Sequence, residues 1–201
     1  MNQQELQESI KRDIEFTSGN YAQMYKRLKA NDTASRFFVV YYSTVSIIYG
    51  LFPLFFEDKI VSLSMLNFLM ISLSIIVLIA SLLISFAQYG ERSKKVMNGL
   101  DQLKRLKKFL QCDDCALENN EHLDYREVIK NYHEIVDNIE LRSDLDYFHA
   151  CKELNSRGKY TESWRQISCL NKFSMYAASI LKSSFFFALF LFPIMVLFIV
   201  F

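Results

Sequence analysis

Two apolar runs lie close together in the N-terminal half of the chain, at 37–56 and 63–87. Neither contains Asp, Glu, Lys, Arg or His, and only a short segment around Glu57, Asp58 and Lys59 separates them. A helix of about 20 residues, rising roughly 1.5 Å per residue, spans the bilayer hydrocarbon. Because backbone polar groups in lipid must be satisfied within the segment, both runs are predicted to be helices. The sequence therefore predicts a transmembrane hairpin.

A third apolar run, 182–201, ends the chain and contains Pro193. Lys182 stands at its start, where a long side chain can reach the headgroups, and the remaining residues are just sufficient in number to span a bilayer. The mean hydropathy of the whole chain is only +0.09, so long polar segments accompany the apolar ones. The predicted fold class is an all-α membrane protein with a transmembrane helical hairpin, a cytoplasmic helical domain and a third, C-terminal transmembrane helix.

The distribution of basic residues predicts the orientation of these helices. Lys and Arg collect on the cytoplasmic side of membrane proteins. They precede the first and third runs and follow the second, whereas the hairpin loop holds only Lys59. We therefore expect a multi-pass protein with its N-terminus in the cytoplasm. The predicted domains are cytoplasmic N-terminal helices (1–36), the hairpin (37–87), a cytoplasmic helical region (88–181) and the C-terminal transmembrane helix (182–201).

Helical patterns run through the polar segments. A break between two N-terminal helices is predicted at 18–20, where Gly19 and Asn20 disfavour a continuous helix. After the second span, residues spaced by sevens predict that one helix continues from Leu63 to Leu110 with a coiled-coil-like face. The members of this face are Tyr89, Val96, Leu103 and Leu110, with Leu100 and Leu106 beside them.

The rest of the cytoplasmic region is predicted to contain a loop and three short helices. The loop is expected at 111–121. An amphipathic helix is predicted at 125–141. A second helix is predicted at 145–154, and the segment 156–158 with its glycine is expected to terminate it. The last cytoplasmic helix is expected to begin near Thr161.

One face of the second membrane helix is polar along its whole length. At about 100° per residue, six polar side chains fall on one arc. They are Ser64, Asn67, Ser74, Ser81, Ser85 and Gln88. Ile71 and Leu78 lie on the same arc, so this face also has apolar positions that can act as a hydrophobic gate.

Two interpretations of this polar face stand side by side. Small hydroxyl side chains let membrane helices pack closely and hydrogen-bond to each other. Alternatively, in an oligomer, the face lines a narrow water-filled pore that closes by dewetting at Ile71 and Leu78. The first membrane helix carries a weaker polar series that includes Tyr42, Ser46 and Tyr49, and packing is the favoured role for it.

The chain lacks the motifs of the common enzyme classes. It has no nucleotide-binding loop, no metalloprotease motif and no Ser-His-Asp order, so we expect neither catalysis nor a cofactor. Cys112 and Cys115 form a single C-x-x-C, for which reduced thiols are favoured over a zinc or redox site. The neighbours Asp144, Asp146 and His149 are interpreted as surface charge.

The charge pattern favours a membrane over nucleic acid as a partner. A formal net charge of +1 gives no bulk attraction to nucleic acid, and no direct binding is expected. A local basic cluster, 104–108, is a candidate site for a nucleotide second messenger, although a solvated or headgroup-facing role is favoured. Its cations are Lys104, Arg105, Lys107 and Lys108.

Several short patches resemble a known family. A short helix that holds Tyr21, Tyr25, Arg27 and Leu28 precedes 29–36, and this segment leads directly into the hairpin; the patches 132–135 and 146–147 follow the hairpin. This arrangement, over roughly residues 13–147, resembles the SLATT proteins, two-transmembrane effector domains associated with bacterial nucleotide-second-messenger defence systems. The chain departs from the family pattern at 139–142, where some members carry Asn and His, and in having a third apolar run.

The resemblance implies an effector of the bacterial inner membrane. Such an effector oligomerises and opens a pore when an upstream immune component detects phage, so that the infected cell stops growing or dies by abortive infection. Members are encoded beside nucleotidyltransferases or reverse transcriptases, which are the upstream partners to expect. A competing hypothesis is a membrane-anchored scaffold whose cytoplasmic helices recruit a partner or sense a nucleotide signal.

Overall fold

The computed structural model describes residues 3–55, 63–116, 125–158 and 169–200, and every regular element within these ranges is an α-helix. The helices are α1 (Gln3–Phe55), α2 (Leu63–Ala87), α3 (Tyr89–Ala116), α4 (Tyr125–Asp137), α5 (Asp144–Ser156) and α6 (Cys169–Val200). They divide into two compact units. The polar unit comprises Met1–Lys29 and Gly90–Lys172, and the apolar unit comprises Ala30–Tyr89 and Phe173–Phe201.

The core of the polar unit is built from one apolar face of each of its helices. Helix α1 contributes Ile14, Met24 and Leu28, which are fully buried. The other buried apolar side chains of this core are Ile10, Tyr21, Val96, Leu100, Leu103, Leu110, Val128, Phe148, Ala150, Cys151 and Leu154. Amphipathic helices gain most of their stability from packing such faces together rather than from intrinsic propensity.

The predicted break in the N-terminal segment is wrong, because α1 is continuous from Gln3 to Phe55. One local contact and one tertiary contact accompany the passage of the helix through Gly19 and Asn20. The Asn20 amide donates to the carbonyl oxygen of Phe16 at 3.1 Å, and a side chain built at Gly19 would already touch Leu154 at 3.4 Å. Packing therefore overrides the weak helix propensity of these residues.

The seven-residue pattern in α3 correctly marks its buried face. Val96, Leu100, Leu103 and Leu110 are all less than 9% exposed, whereas Leu106 is only half-buried. This face packs within the same chain, since the Gln7 amide donates to the Leu110 carbonyl at 3.4 Å. The coiled-coil-like face is therefore part of the polar unit's own core.

The prediction that one helix runs from Leu63 to Leu110 is wrong, because the helix is interrupted at Gln88. Gln88 adopts a φ of 46°, which places it in the left-handed region, and it forms a turn between α2 and α3. A left-handed residue cannot continue the hydrogen-bond ladder of a right-handed helix, and Gly90 in the next turn lowers helix propensity further. The chain therefore has two helices where the sequence predicts a single rigid one.

The remaining boundaries of the polar unit agree with the sequence in part. The helix predicted at 125–141 ends earlier, because α4 stops at Asp137 and the chain then turns. Within α4, Val128 is buried and the other apolar positions are partly buried, and α5 begins at a capping box formed by Ser143 and Asp146. Gly158 has a φ of 74° directly after α5, which is the geometry that glycine supplies at helix ends. The predicted loop at 111–121 is wrong for its first part, because α3 extends to Ala116. The predicted helix start near Thr161 and the hairpin loop lie outside the described residues.

The apolar unit packs α1 against both α2 and α6. The Tyr41 hydroxyl donates to the carbonyl of Phe190 at 3.0 Å, and the two rings stack with centroids 4.8 Å apart. The Tyr49 hydroxyl donates to the carbonyl of Pro193, which lies inside α6. These two tyrosines are eight residues apart on α1, so they share one face and fix α6 to it.

Candidate functional site

One side of α2 forms its packing seam within the apolar unit. Positions spaced alternately by three and four residues are less exposed than most of the helix. They are Met70, Leu73, Val77, Ala80, Ile84 and Ala87. This spacing is that of a helix packed against neighbours along a single stripe.

The predicted polar face lies beside this seam and is exposed in the isolated chain. Ser64, Asn67, Ser74, Ser81 and Ser85 are exposed on α2, and Gln88 is exposed in the turn that follows. At about 100° per residue, the polar face is centred roughly a quarter of a turn from the seam. The predicted gate residues share this exposed arc, with Ile71 63% and Leu78 62% exposed.

One member of the polar face contacts α1. The Ser74 hydroxyl lies 3.4 Å from that of Ser46 on α1, and it donates to the Met70 carbonyl one turn back on its own helix. A Cβ atom at Gly50 would approach Met70 to 3.0 Å, so the Ser46-x-x-x-Gly50 spacing allows α1 and α2 to lie close together. The interpretation of the α1 polar series as a packing feature agrees with these contacts.

A buried ion pair joins α1 to α5 in the polar unit. Arg27 donates from Nε to one oxygen of Asp146 at 2.8 Å and from Nη2 to the other at 2.9 Å. The backbone N–H and hydroxyl of Ser143 donate to the same carboxylate at 3.1 and 2.8 Å. The Asp146 side chain is only 2% exposed, so its interpretation as surface charge is wrong, whereas Asp144 and His149 are exposed as expected. A carboxylate at this depth requires such partners because desolvation of an unpaired charge is costly.

The patches that carry the family resemblance meet in this core. Tyr21 and Leu28 are buried beside Arg27 on α1, and the Thr17 and Tyr132 hydroxyls lie 2.8 Å apart. The α5 patch supplies Asp146 to the ion pair. These residues are distant in the sequence, and the fold brings them together as the structural centre of the polar unit.

The segment that departs from the family pattern connects α4 to α5. Glu140 accepts two hydrogen bonds from Arg92 of α3, at 2.7 and 2.9 Å. The Arg142 guanidinium lies 4.7 Å from the centre of the Tyr147 ring and 5.8 Å from that of Phe16, within range of cation–π attraction. Leu141 is 96% exposed. The departing residues therefore hold the connection onto α1, α3 and α5.

A second, more exposed cluster surrounds Glu153 on α5. Lys26 and Gln23 of α1 donate to its carboxylate, and Arg157 contacts it at 2.5 Å. Burial raises the pKa of the Glu153 carboxyl, but the hydrogen bond and charge of Lys26, with Arg157 and Gln23, outweigh it and hold the pKa below its ordinary value. A carboxylate with a depressed pKa stabilises the fold above its unfolded pKa, and this contribution is lost as the pH falls through the folded value.

We expect Glu153→Gln to lower the stability of the full chain in detergent by roughly 0.5–1 kcal/mol at pH 7, because the cluster is partly exposed. The carboxylate becomes protonated in both states only as the pH falls through the depressed folded pKa, so the stabilities of the variant and the parent should converge over that fall. Denaturant melts of the full chain at pH 7 and at a series of acidic pH values measure this difference. A difference that stays constant down the whole acidic series would contradict the electrostatic origin.

The described cysteine of the polar unit is a core residue. Cys151 is fully buried, and burial raises the pKa of its thiol despite a hydrogen bond with Tyr147. A buried thiol with a raised pKa is inert. Cys112 and Cys115 belong to α3, and their side chains are not described. The described part of the chain contains no group of three His, Cys, Asp or Glu side chains placed to hold a metal.

The basic cluster of α3 is partly neutralised. Lys104 contacts Asp101 at 3.3 Å, and Lys107 contacts Glu15 of α1 at 3.4 Å. Arg105 instead lines a groove of about 720 Å³ between α3 and α4, together with Phe109 and other polar and apolar side chains. Lys108 is exposed. Of the four predicted cations, Arg105 lines this concave surface.

Comparisons with known proteins place these features in a family. No curated protein and no solved structure gave a significant match. One helical segment of the described chain, Asn67–Gln111, contains a stretch apolar and long enough to cross a membrane, and this stretch is not buried. A sequence-family model, SLATT family 5, matches residues 3–199. The family is described as the SMODS and SLOG-associating 2TM effector domain family 5. This match includes the C-terminal apolar run, so that run lies within the family's own sequence pattern.

The family match covers nearly the whole chain. It implies a membrane effector in defence systems, and the domain is associated in general with nucleotide signalling. The chain therefore belongs to the SLATT_5 family of SMODS and SLOG-associating 2TM effector domains.

Proposed function

We propose that the protein oligomerises in the bacterial inner membrane and forms a pore that disrupts this membrane on activation, producing abortive infection. The observation that supports this proposal most directly is the exposed polar face of α2 beside its packing seam. Polar side chains that face hydrocarbon lose their hydrogen bonds with water, so such a face is stable only against a partner or water. Copies of the same chain supply both when they surround an aqueous path.

The composition of the face determines what kind of pore it supports. A Ser hydroxyl can bond to its own helix, as Ser74 does to Met70, but the Asn67 amide has more donors and acceptors than its helix can satisfy. Asn67 therefore favours a neighbouring copy or water most strongly. The face carries no charged side chain, which favours discrimination by size over ion selectivity.

Ile71 and Leu78 supply the resting closure in this proposal. They lie two turns apart on the exposed arc, and each is more than 60% exposed in the single chain. In a ring of copies their side chains would narrow the path and exclude water by dewetting. Activation then requires a rotation or tilt of α2 that moves these side chains off the axis.

A membrane-anchored scaffold is the second candidate, and the groove between α3 and α4 is the observation that favours it. The groove places Arg105 beside Phe109, which is 54% exposed, and near Asn131 and Glu134. A guanidinium and an exposed ring provide charge and stacking for a nucleotide or a partner segment. Calorimetric titration of the solubilised protein with cyclic and linear nucleotides tests this role, and loss of the heat signal in Arg105→Ala supports it.

Exchange of the hairpin separates the two candidates. Bacteria that carry the gene with its native neighbours are infected with phage, and membrane potential is followed with a voltage-sensitive dye. We expect depolarisation with the parent chain and its loss when residues 37–87 are replaced by an unrelated two-helix anchor of equal length. A scaffold would retain protection after this exchange, because its anchor only holds the polar unit at the membrane.

A further inference from the structure

An apolar pocket of about 360 Å³ lies inside the apolar unit, between α1, α2 and α6. Phe38 and Tyr42 of α1, Val77 and Ala80 of α2, and Phe192 of α6 are among its lining residues. Among the described lining residues, Ser35 and Tyr42 alone contribute polar side-chain groups. Apolar cavities do not hold ordered water, so the occupant of this pocket must itself be apolar.

The length of the pocket matches one leaflet of a bilayer. Along α2 the lining extends from Leu73 to Ile84, which at 1.5 Å per residue is roughly 16 Å. Half of the hydrocarbon thickness is about 15 Å. Ile84 lies near the end of α2 and Ser35 lies at the polar end of the first apolar run, so the pocket begins at the predicted cytoplasmic boundary and ends near the midplane.

A helix of a second copy has a diameter of about 10 Å, which is wide for a pocket of about 360 Å³ that is roughly 16 Å long. A single extended hydrocarbon chain is much thinner. The shape thus favours an acyl chain.

Arg36 directly follows the lining residue Ser35 in the sequence, at the predicted cytoplasmic boundary. The Arg36 side chain, next to Ser35, is 72% exposed, and its Nε contacts Asp32 at 3.2 Å across one turn of α1. Exposed pairs of this spacing are weak, so the guanidinium remains able to bind a phosphate group. Its charge is complementary to the anionic headgroups of the cytoplasmic leaflet.

We propose that this pocket binds one acyl chain of an anionic phospholipid from the cytoplasmic leaflet, with the headgroup phosphate against Arg36. The site requires that the hairpin lie in the membrane, but it does not require a pore. A lipid held between α1, α2 and α6 would add apolar contacts among the three helices on the side of α2 away from its polar face.

Native mass spectrometry of the delipidated full chain, titrated with phosphatidylglycerol and with phosphatidylcholine, tests the site. We expect one phosphatidylglycerol retained per chain. Ala80→Phe fills the pocket and should reduce retention at least fivefold, with Ala80→Met intermediate, whereas the matched control Ile79→Phe, whose side chain lies outside the lining, should not change it. Arg36→Gln should leave the pocket intact and lower the preference for phosphatidylglycerol over phosphatidylcholine by roughly fivefold.

The outcomes separate the lipid from other occupants. Undiminished retention in folded Ala80→Phe and Ala80→Met chains would overturn the proposal, as would equal loss in Ile79→Phe. If Ala80→Phe instead dissociates an oligomer and leaves lipid retention unchanged, the pocket belongs to an interface between copies and the proposal is wrong. Should Ala80→Phe not fold, the graded series through Ala80→Met and the Arg36→Gln preference decide the matter alone.

Discussion

Replacing Asp146 with Ala should lower the free energy of unfolding of the polar unit by about 3 kcal/mol. The change removes the carboxylate that accepts from Arg27 and Ser143, and it leaves the Arg27 charge in the core without its partner. Arg27 is 29% exposed and can partly turn to water, which places the loss at the lower end of the range for buried pairs. Pulse proteolysis of the full chain in detergent measures the effect.

A paired replacement separates the stranded charge from the lost contacts. Arg27→Met combined with Asp146→Leu substitutes apolar groups for both partners and should recover much of the stability that Asp146→Ala loses. Asp146→Asn retains the cap on α5 but not the charge, so it should fall between the parent and Asp146→Ala. A loss below about 1 kcal/mol in Asp146→Ala would mean that the pair behaves like a surface salt bridge.

The second large effect is expected at Gly99 on α3. A Cβ atom at this position would lie 2.0 Å from Cδ1 and 3.0 Å from Cγ1 of Ile139. Gly99→Leu should therefore destabilise the polar unit by roughly 1–3 kcal/mol through overpacking, although Leu has the higher helix propensity. The same proteolysis assay measures it.

The direction of the Gly99 effect is diagnostic, because propensity and packing act in opposite senses. Asn98→Leu is the matched control, since Asn98 is exposed on the same turn of α3 and its replacement should be neutral or stabilising. Ile139→Ala added to Gly99→Leu should restore part of the loss by making room. Stabilisation by Gly99→Leu alone would show that Ile139 does not pack against this glycine.

Local patterns in the sequence were sufficient to predict most helices of the described chain. The apolar spacing of α4, the seven-residue series ending at Leu110 and the glycine after α5 each depend on contacts within a few turns. The break predicted at Gly19 failed because Leu154, which is distant in the sequence, packs against that glycine. Propensity at one residue is worth about 1 kcal/mol, and a tertiary contact exceeds it easily.

Charged residues were the hardest to interpret from the sequence. Asp146 is one of three polar residues within a short stretch, and such residues are exposed in most proteins, which favours a surface role. Only the approach of α1 to α5 gives it the Arg27 partner that makes burial tolerable. The available signal was the pairing of the Arg27 patch with the Asp146–Tyr147 patch in the family resemblance.

The polar face of α2 could be predicted from the sequence as a series, because it depends on helical period alone. Its position relative to the packing seam could not be predicted, since this depends on which side of α2 meets α1. The contact between Ser46 and Ser74 places the edge of the polar face against α1 and leaves the rest exposed. The conformation of Gln88 could not be predicted from this pattern either. A helical wheel assumes regular helix geometry, and that geometry ends at Gln88.

Leakage from liposomes tests the pore most directly. The full chain is reconstituted at high density, where concentration drives association, and release of dyes of increasing size is recorded. We predict size-limited release by the parent and at least a tenfold reduction in Asn67→Leu, Ser74→Leu and Ser81→Leu, while Ser72→Leu, which makes the same change on another face of α2, leaks normally. Release that survives all three polar-face changes, or that Ser72→Leu abolishes equally, would contradict a pore lined by this face.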